Sequence, residues 1–234
     1  MPAYFITATG TDVGKTFVMA SLCHQLSNLG KKVYPLKSVI SGWNEESMDS
    51  TDTVIMMNAA GIEINKKSIS QVSPLRFLAP LSPDMAARKE NKSVTLDMVV
   101  SHCKEAAESY VGEDEYVLAE GVGGIMVPLN EKHTVLNWIE VLNWPTIVVA
   151  GNYLGSINHT LMTLEILAQR KVKISALVVS ESENAAVSLE EQVKTLRSFV
   201  SVPIVMLPRA VGKIQGGANA GWYNSANLLE CVSL

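Results

Sequence analysis

The sequence has few cysteines, few charged residues and no long uninterrupted apolar run, and each shortage excludes a class of protein. Cys23, Cys103 and Cys231 are odd in number and far apart. Without a CxxC or His-paired spacing they indicate neither a disulfide framework nor a zinc site, and they read as buried thiols. Charged residues make up 18% of the chain, with 19 Lys+Arg against 23 Asp+Glu and a formal charge of -4. No basic block stands out, so no nucleic-acid partner is expected, and an anionic ligand would need a local site. The uncharged stretch 141–164 is broken by Pro145, Gly151, Asn152, Gly155, Ser156, Asn158 and His159, too polar for a membrane span of about 20 apolar residues. The opening Met1-Pro2-Ala3-Tyr4-Phe5 has neither the positive flank nor the apolar run of a signal peptide, so the expected compartment is the cytoplasm. No internal repeat, low-complexity tract or long linker divides the 234 residues, and residues 1–234 are read as one domain.

What is present is a core. Hydrophobic residues account for 47%, well above a disordered composition. Short apolar, β-branched runs recur at 3–8, 32–37, 116–120, 146–150, 175–179 and 203–207. Helical patterns at 15–29, 95–110, 157–170 and 188–200 alternate with them, and Gly30 stands where a helix C-cap glycine sits. Continuous apolar runs are what parallel strands buried on both faces require. The pattern therefore predicts an α/β fold, a mainly parallel sheet flanked by helices. The segment 213–221, rich in glycine and small residues, is expected to form a surface loop before a short terminal helix.

The first strand runs into Thr9-Gly10-Thr11-Asp12-Val13-Gly14-Lys15-Thr16, and a helical pattern follows from Phe17. The P-loop pattern GxxxxGK[ST] wants Gly where Thr9 stands, but the strand before and the helix after are in place, which makes the chain a P-loop NTPase type. In such a loop backbone N–H groups and the helix N-terminus face phosphates, Lys15 adds a positive charge, and the Thr16 hydroxyl ligates Mg²⁺. A magnesium-bound triphosphate also needs carboxylates at the carboxyl end of the sheet. Glu120 ends a strand before Gly121-Val122-Gly123-Gly124; the bland alternative is a solvated strand-end acid. Asp52 precedes a helical pattern and suits either a metal ion or a helix first turn. Lys37 ends the second strand, where it either faces an anion or is simply solvated.

The ordered set of motifs resembles the dethiobiotin synthetase family through most of the chain. It comprises the loop 10–16, Lys37 with Ser41-Gly42, Asp52, Ala79-Pro80-Leu81-Ser82-Pro83, Glu120 through Gly124 with Pro128-Leu129, and Leu154-Gly155-Ser156-Ile157-Asn158-His159. The resemblance implies an ATP- and Mg²⁺-dependent ligase that carboxylates 7,8-diaminopelargonic acid with CO₂ and closes the ring to dethiobiotin. It implies Thr16, Asp52 and Glu120 as metal ligands. Lys15 and Lys37 would neutralise the transferring phosphoryl group and the carbamate, with Thr11 near the reacting end. Nucleotide contacts would come from Asp12, Val13, Gly14, Lys15, Thr16, Phe17, Ser180 and Pro208. Ser41, Gly123, Leu154, Gly155, Ser156 and Asn158 would receive the diamine, the last four across a homodimer interface.

Four residues depart from the family pattern, and the first three are expected to tune rather than abolish phosphate binding. Ser38 stands in place of the usual Pro, and Gly10 and Asp12 alter the middle of the loop. Ser180 replaces the base-recognising Asn; a hydroxyl cannot make an amide's paired contacts, so the base is expected to rest more on Pro208 and nearby backbone. The alternative reading is a partition or switch-type P-loop ATPase acting on a macromolecular partner. Those proteins usually carry a second lysine at the position of Gly10, which this chain lacks. An amidotransferase-type synthetase would need a further glutaminase domain with a Cys–His pair, for which the chain has no room.

Overall fold

The structure, a computed structural model, describes residues 2–110, 112, 114–185, 187–209 and 222–233. Six strands form one sheet: β1 (Ala3–Ala8), β2 (Lys32–Leu36), β5 (Glu115–Glu120), β6 (Thr146–Gly151), β7 (Ile174–Ser180) and β8 (Ile204–Leu207). Their spatial order is β2-β5-β1-β6-β7-β8, and every pairing is parallel. Pro35 lies in β2, an edge strand, where its missing N–H costs the ladder least. A second, two-stranded parallel sheet joins β3 (Val39–Ser41) to β4 (Leu75–Phe77).

Successive residues of β1 point to opposite faces, and each face has its own core. Phe5 joins Val117, Val148 and Leu177 on one side, beneath Trp138 and Leu167. Tyr4 and Ile6 join Leu118, Val149 and Val178 on the other, beneath Val18, Leu22 and Leu26 of α1 (Lys15–Asn28). Phe5 and Trp138 meet edge to face at 4.9 Å. All six residues of β6 are buried, as a strand covered on both faces must be.

The remaining helices are α2 (Asp52–Ala59), α3 (Lys66–Val72), α4 (Pro83–Lys89), α5 (Leu96–Ser109), α6 (Val135–Leu142), α7 (Ser156–Gln169) and α8 (Leu189–Arg197). Gly30 terminates α1 as expected: its φ is +75°, its N–H reaches Ser27 O, and the Lys31 N–H reaches Leu26 O. The sequence reading did not mark α3, α4, α6, β3 or β4. The three helices run seven or eight residues and the two strands three, below the length at which periodicity is decisive. Past the main sheet, two short 3-10 turns cover Trp222–Asn224 and Leu228–Cys231; the loop expected at 213–221 lies outside the described residues.

Candidate active site

β1 ends in the centre of the sheet, and the chain turns through the phosphate-type loop into α1. Gly14 caps the helix at φ +97°; a Cβ on it would lie 2.8 Å from Ser180 Oγ. Both the backbone angle and the close neighbour require glycine here. Asp12 also has positive φ, at 57°. The Lys15 Nζ donates to Gly10 O at 2.9 Å, which keeps the ammonium inside the loop.

Strand register explains how Lys37 and Glu120 meet. Leu36 pairs with Ala119, so the next residue of each strand emerges side by side at the carboxyl edge. Lys37 is 3% exposed and Glu120 fully buried, and the Lys37 ammonium contacts Glu120 Oε1. It also lies 2.9 Å from Asp52 Oδ2 and 3.2 Å from Gly121 O. Burial thus settles what spacing left open: neither residue is a solvated strand end. Asp52 opens α2 behind the N-cap Thr51, so it is a first-turn acid and a partner of Lys37 together. The Thr16 hydroxyl donates to Glu120 Oε1 at 3.1 Å.

Two cations and two carboxylates balance, and their titration reflects that. Burial lowers the Lys15 pKa to about 8, against the pull of Glu120. Burial works against the charge on Lys37 as well, but Glu120 and Asp52 outweigh it and carry its pKa upward. Burial also opposes charge on Asp52, yet Lys37, the Thr16 hydroxyl and Lys15 hold its carboxyl below the ordinary range.

These groups line one cavity of about 360 Å³ with Thr11, Asp12, Gly14, Phe17, Ile40, Ser41, Val122 and Gly123. Gly123, at φ +58°, brings its main chain against the loop: a Cβ there would lie 3.4 Å from Thr11 Oγ1 and 2.6 Å from Val127 Cγ2. The oxygens fit a hard cation. Glu120 Oε2 is buried without a hydrogen-bond partner, beside the Thr16 hydroxyl and Asp52. No group of three or more His, Cys, Asp or Glu that would hold a metal forms among the described residues. A divalent ion would therefore rest on two carboxylates, one hydroxyl and oxygens brought by a nucleotide or water.

Other expected residues lie outside this lining. Val13 is buried among core residues of α1 and β1. Ser180 and Leu207 are register partners, so Ser180 and Pro208 stand together at the carboxyl edge, Ser180 against Gly14. Leu154, Gly155, Ser156 and Asn158 occupy the turn from β6 into α7. Leu154 is 88% exposed and Asn158 exposed, whereas Ser156 is buried with its hydroxyl donating to Gln192 Oε1 at 3.1 Å. The Ser156 N–H donates to Tyr153 O at 3.0 Å, so that amide is engaged within the chain. Sequence reasoning missed Ile40, whose only signal is its place before Ser41.

A family model described as an AAA domain matches residues 2–208. The ATP-dependent dethiobiotin synthetase BioD of Methylobacterium nodulans is 34% identical over 215 residues, 91% of this chain and 95% of that protein. Proteins of the same name from a Caulobacter species and from Acidiphilium cryptum are each 38% identical. They cover 89% of this chain and 89% of theirs, and 84% and 87%, respectively. Among solved structures, the MinC:MinD cell division complex of Aquifex aeolicus superposes with a TM-score of 0.56 at 14% identity, over 90% of this chain and 82% of that one. A ParA family ATPase from Chlorobium tepidum gives 0.51 at 15%, over 90% and 85%. At such identities these two share the fold alone.

Proposed function

The chain belongs to the dethiobiotin synthetase family, and on that premise we propose how its residues divide the work of the reaction. It is an ATP-dependent enzyme of biotin synthesis, converting 7,8-diaminopelargonic acid and CO₂ to dethiobiotin with release of ADP and phosphate. One amine adds to CO₂ to give a carbamate, a carbamate oxygen takes the γ-phosphoryl group, and the second amine attacks the activated carbon as phosphate leaves. Such chemistry asks the protein chiefly to position reactants and neutralise charge.

The observation that carries the assignment of residues is convergence. Lys15, Thr16, Lys37, Asp52 and Glu120 come from widely separated segments into one cavity. Lys15 neutralises the phosphoryl group, and Lys37, facing the same space, neutralises the carbamate. Thr11 and Ser41 supply polar contacts near the reacting end. Thr16, Asp52 and Glu120 would hold Mg²⁺, a reading supported by the unpartnered Glu120 oxygen. Bound there, the ion would offset charge on the nucleotide's phosphates. The loop amides at Asp12, Val13 and Gly14 would donate to the phosphates, with Phe17 beside them, and Ser180 with Pro208 would receive the base.

The diamine reaches Gly123 and, through its carboxylate, the turn 154–158 of a second subunit. Exposed Leu154, Asn158 and Met162, the last 56% exposed, support a homodimer formed over that turn and α7. A main sheet with a core on each face supports a single domain over the chain. No helix among the described residues is long and apolar enough to cross a membrane; three buried free thiols suit a cytoplasmic enzyme. The test is product formation: purified protein with ATP, Mg²⁺, bicarbonate and the diamine yields dethiobiotin and ADP. ATP turnover indifferent to the diamine would overturn the reading.

A further inference from the structure

Behind the cavity, the carbonyl end of α3 is tied to the backbone around both Lys37 and Asp52. A helix leaves its last carbonyls without partners of its own, and at this end those of Gln71 and Val72 find partners outside the helix. The Lys37 N–H donates to Val72 O at 2.9 Å. The Arg76 guanidinium donates to Ser73 O at 2.5 Å. The Ser73 hydroxyl meets Thr53 Oγ1 at 2.7 Å, one residue past Asp52. Gln71 O lies 2.7 Å from Nε2 of His102 on α5. A carbonyl can only accept, so Nε2 carries the proton and Nδ1 is an acceptor. The Ser38 hydroxyl, 2.8 Å from Nδ1, donates to it. Ser38, Thr53 and Ser73 are fully buried, and Ser38 directly follows Lys37.

We propose that His102 is a positioning residue for Lys37: its neutral ring links Ser38 to Gln71 and holds the lysine's main chain against the carbonyl end of α3. The inference rests on the role given to Lys37 above and adds to it a titratable strut. A single tautomer makes both bonds. An imidazolium has two donors and no acceptor, so protonation turns Nδ1–H toward the Ser38 oxygen and strips that hydroxyl of its acceptor. Cys103 Sγ, 3.5 Å away, is the weak partner left to it. Burial lowers the ring's pKa, while the Gln71 carbonyl and Glu105 on α5 pull it upward. The other charged groups nearby are committed: Lys37 to Glu120 and Asp52, Arg76 to Ser73. The Cys103 thiol is pushed up to about 12 by burial.

The test compares dethiobiotin synthesis by the full chain and its His102→Gln, His102→Ala and Ser38→Ala variants across the acid range. Gln places an N–H donor and an oxygen acceptor where the neutral ring has them, without titrating. At neutral pH His102→Gln should keep wild-type turnover within about twofold, whereas His102→Ala and Ser38→Ala lose about tenfold or more in kcat with little change in KM for ATP. In the acid range below the ordinary imidazole value, toward the ring's lowered pKa, the ratio of wild-type to His102→Gln activity should drop; taking the ratio cancels the titration of bicarbonate and diamine. A flat ratio, or full kcat in both alanine variants, overturns the proposal. Should the alanine variants melt below the assay temperature, the ratio decides alone. Lys37→Ala separates the two levels: if it still makes product, the role of Lys37 itself is wrong, whereas a dead Lys37→Ala beside unaffected His102 and Ser38 variants removes the strut and nothing else.

Discussion

Lys15, proposed above to face the nucleotide's phosphates, has its pKa lowered to about 8 by burial. Bound phosphates would raise that value, so nucleotide binding at a pH above it should draw a proton from solution. Calorimetry in buffers of unlike ionisation enthalpy measures this, and equal heats at about pH 9 would refute it. The sign for stability follows from the same shift. Between about 8 and the ordinary 10.5 the unfolded chain binds the extra proton, so the nucleotide-free protein gains stability from this lysine as pH rises through that window. Glu120 behaves differently on truncation. Glu120→Ala would leave the buried Lys37 short of its nearest counter-charge, at a cost of about 3–5 kcal/mol, or a melting temperature lower by on the order of 10 °C. Glu120→Gln should spare more of the fold and still abolish synthesis; a Gln variant with wild-type turnover would remove Glu120 from the metal site. In sequence both Lys37 and Glu120 were strand-end charges with a solvated alternative. The register that joins Leu36 to Ala119 decides the matter, because residue spacing along one strand carries no record of its neighbour.

The loop between β1 and α1 was readable as a phosphate cradle, down to the glycine at position 14, because its backbone requirements are local. Its contact with β7 was not. Gly14→Ala should cost about 1–2 kcal/mol for the left-handed backbone, and more because the new Cβ meets Ser180 Oγ. Adding Ser180→Gly should return the second part and leave the first. Equal melting temperatures for the single and double variants would show that Ser180 does not press on the loop. The six strands of the main sheet were likewise legible as continuous apolar runs, and the four longest helices by their repeated period. α3 is seven residues long, and its importance lies in where its last carbonyls end, against the Lys37 N–H and the His102 ring.

At the scale of the whole molecule, the proposed diamine site needs a second copy of the chain. Leu154, 88% exposed at the mouth of α7, stands with exposed Asn158 and Met162 on the segment proposed to meet the second copy. If the proposed dimer forms, Leu154→Asp should shift it to monomer in sedimentation velocity and cut synthesis while leaving the melting temperature of the fold within a few degrees. A wild-type monomer with full activity would sink the shared site. Sequence alone determined the fold class, the phosphate loop and the family, because those depend on short-range pattern: period, turn chemistry and the order of motifs. Tertiary structure alone decided that Lys37 and Glu120 are a buried pair, that Asp52 and Thr16 close on them, and that Ser38 leans on a histidine 64 residues away. Burial and charge pairing are properties of neighbours in space, and a parallel sheet makes neighbours of residues that the chain keeps far apart.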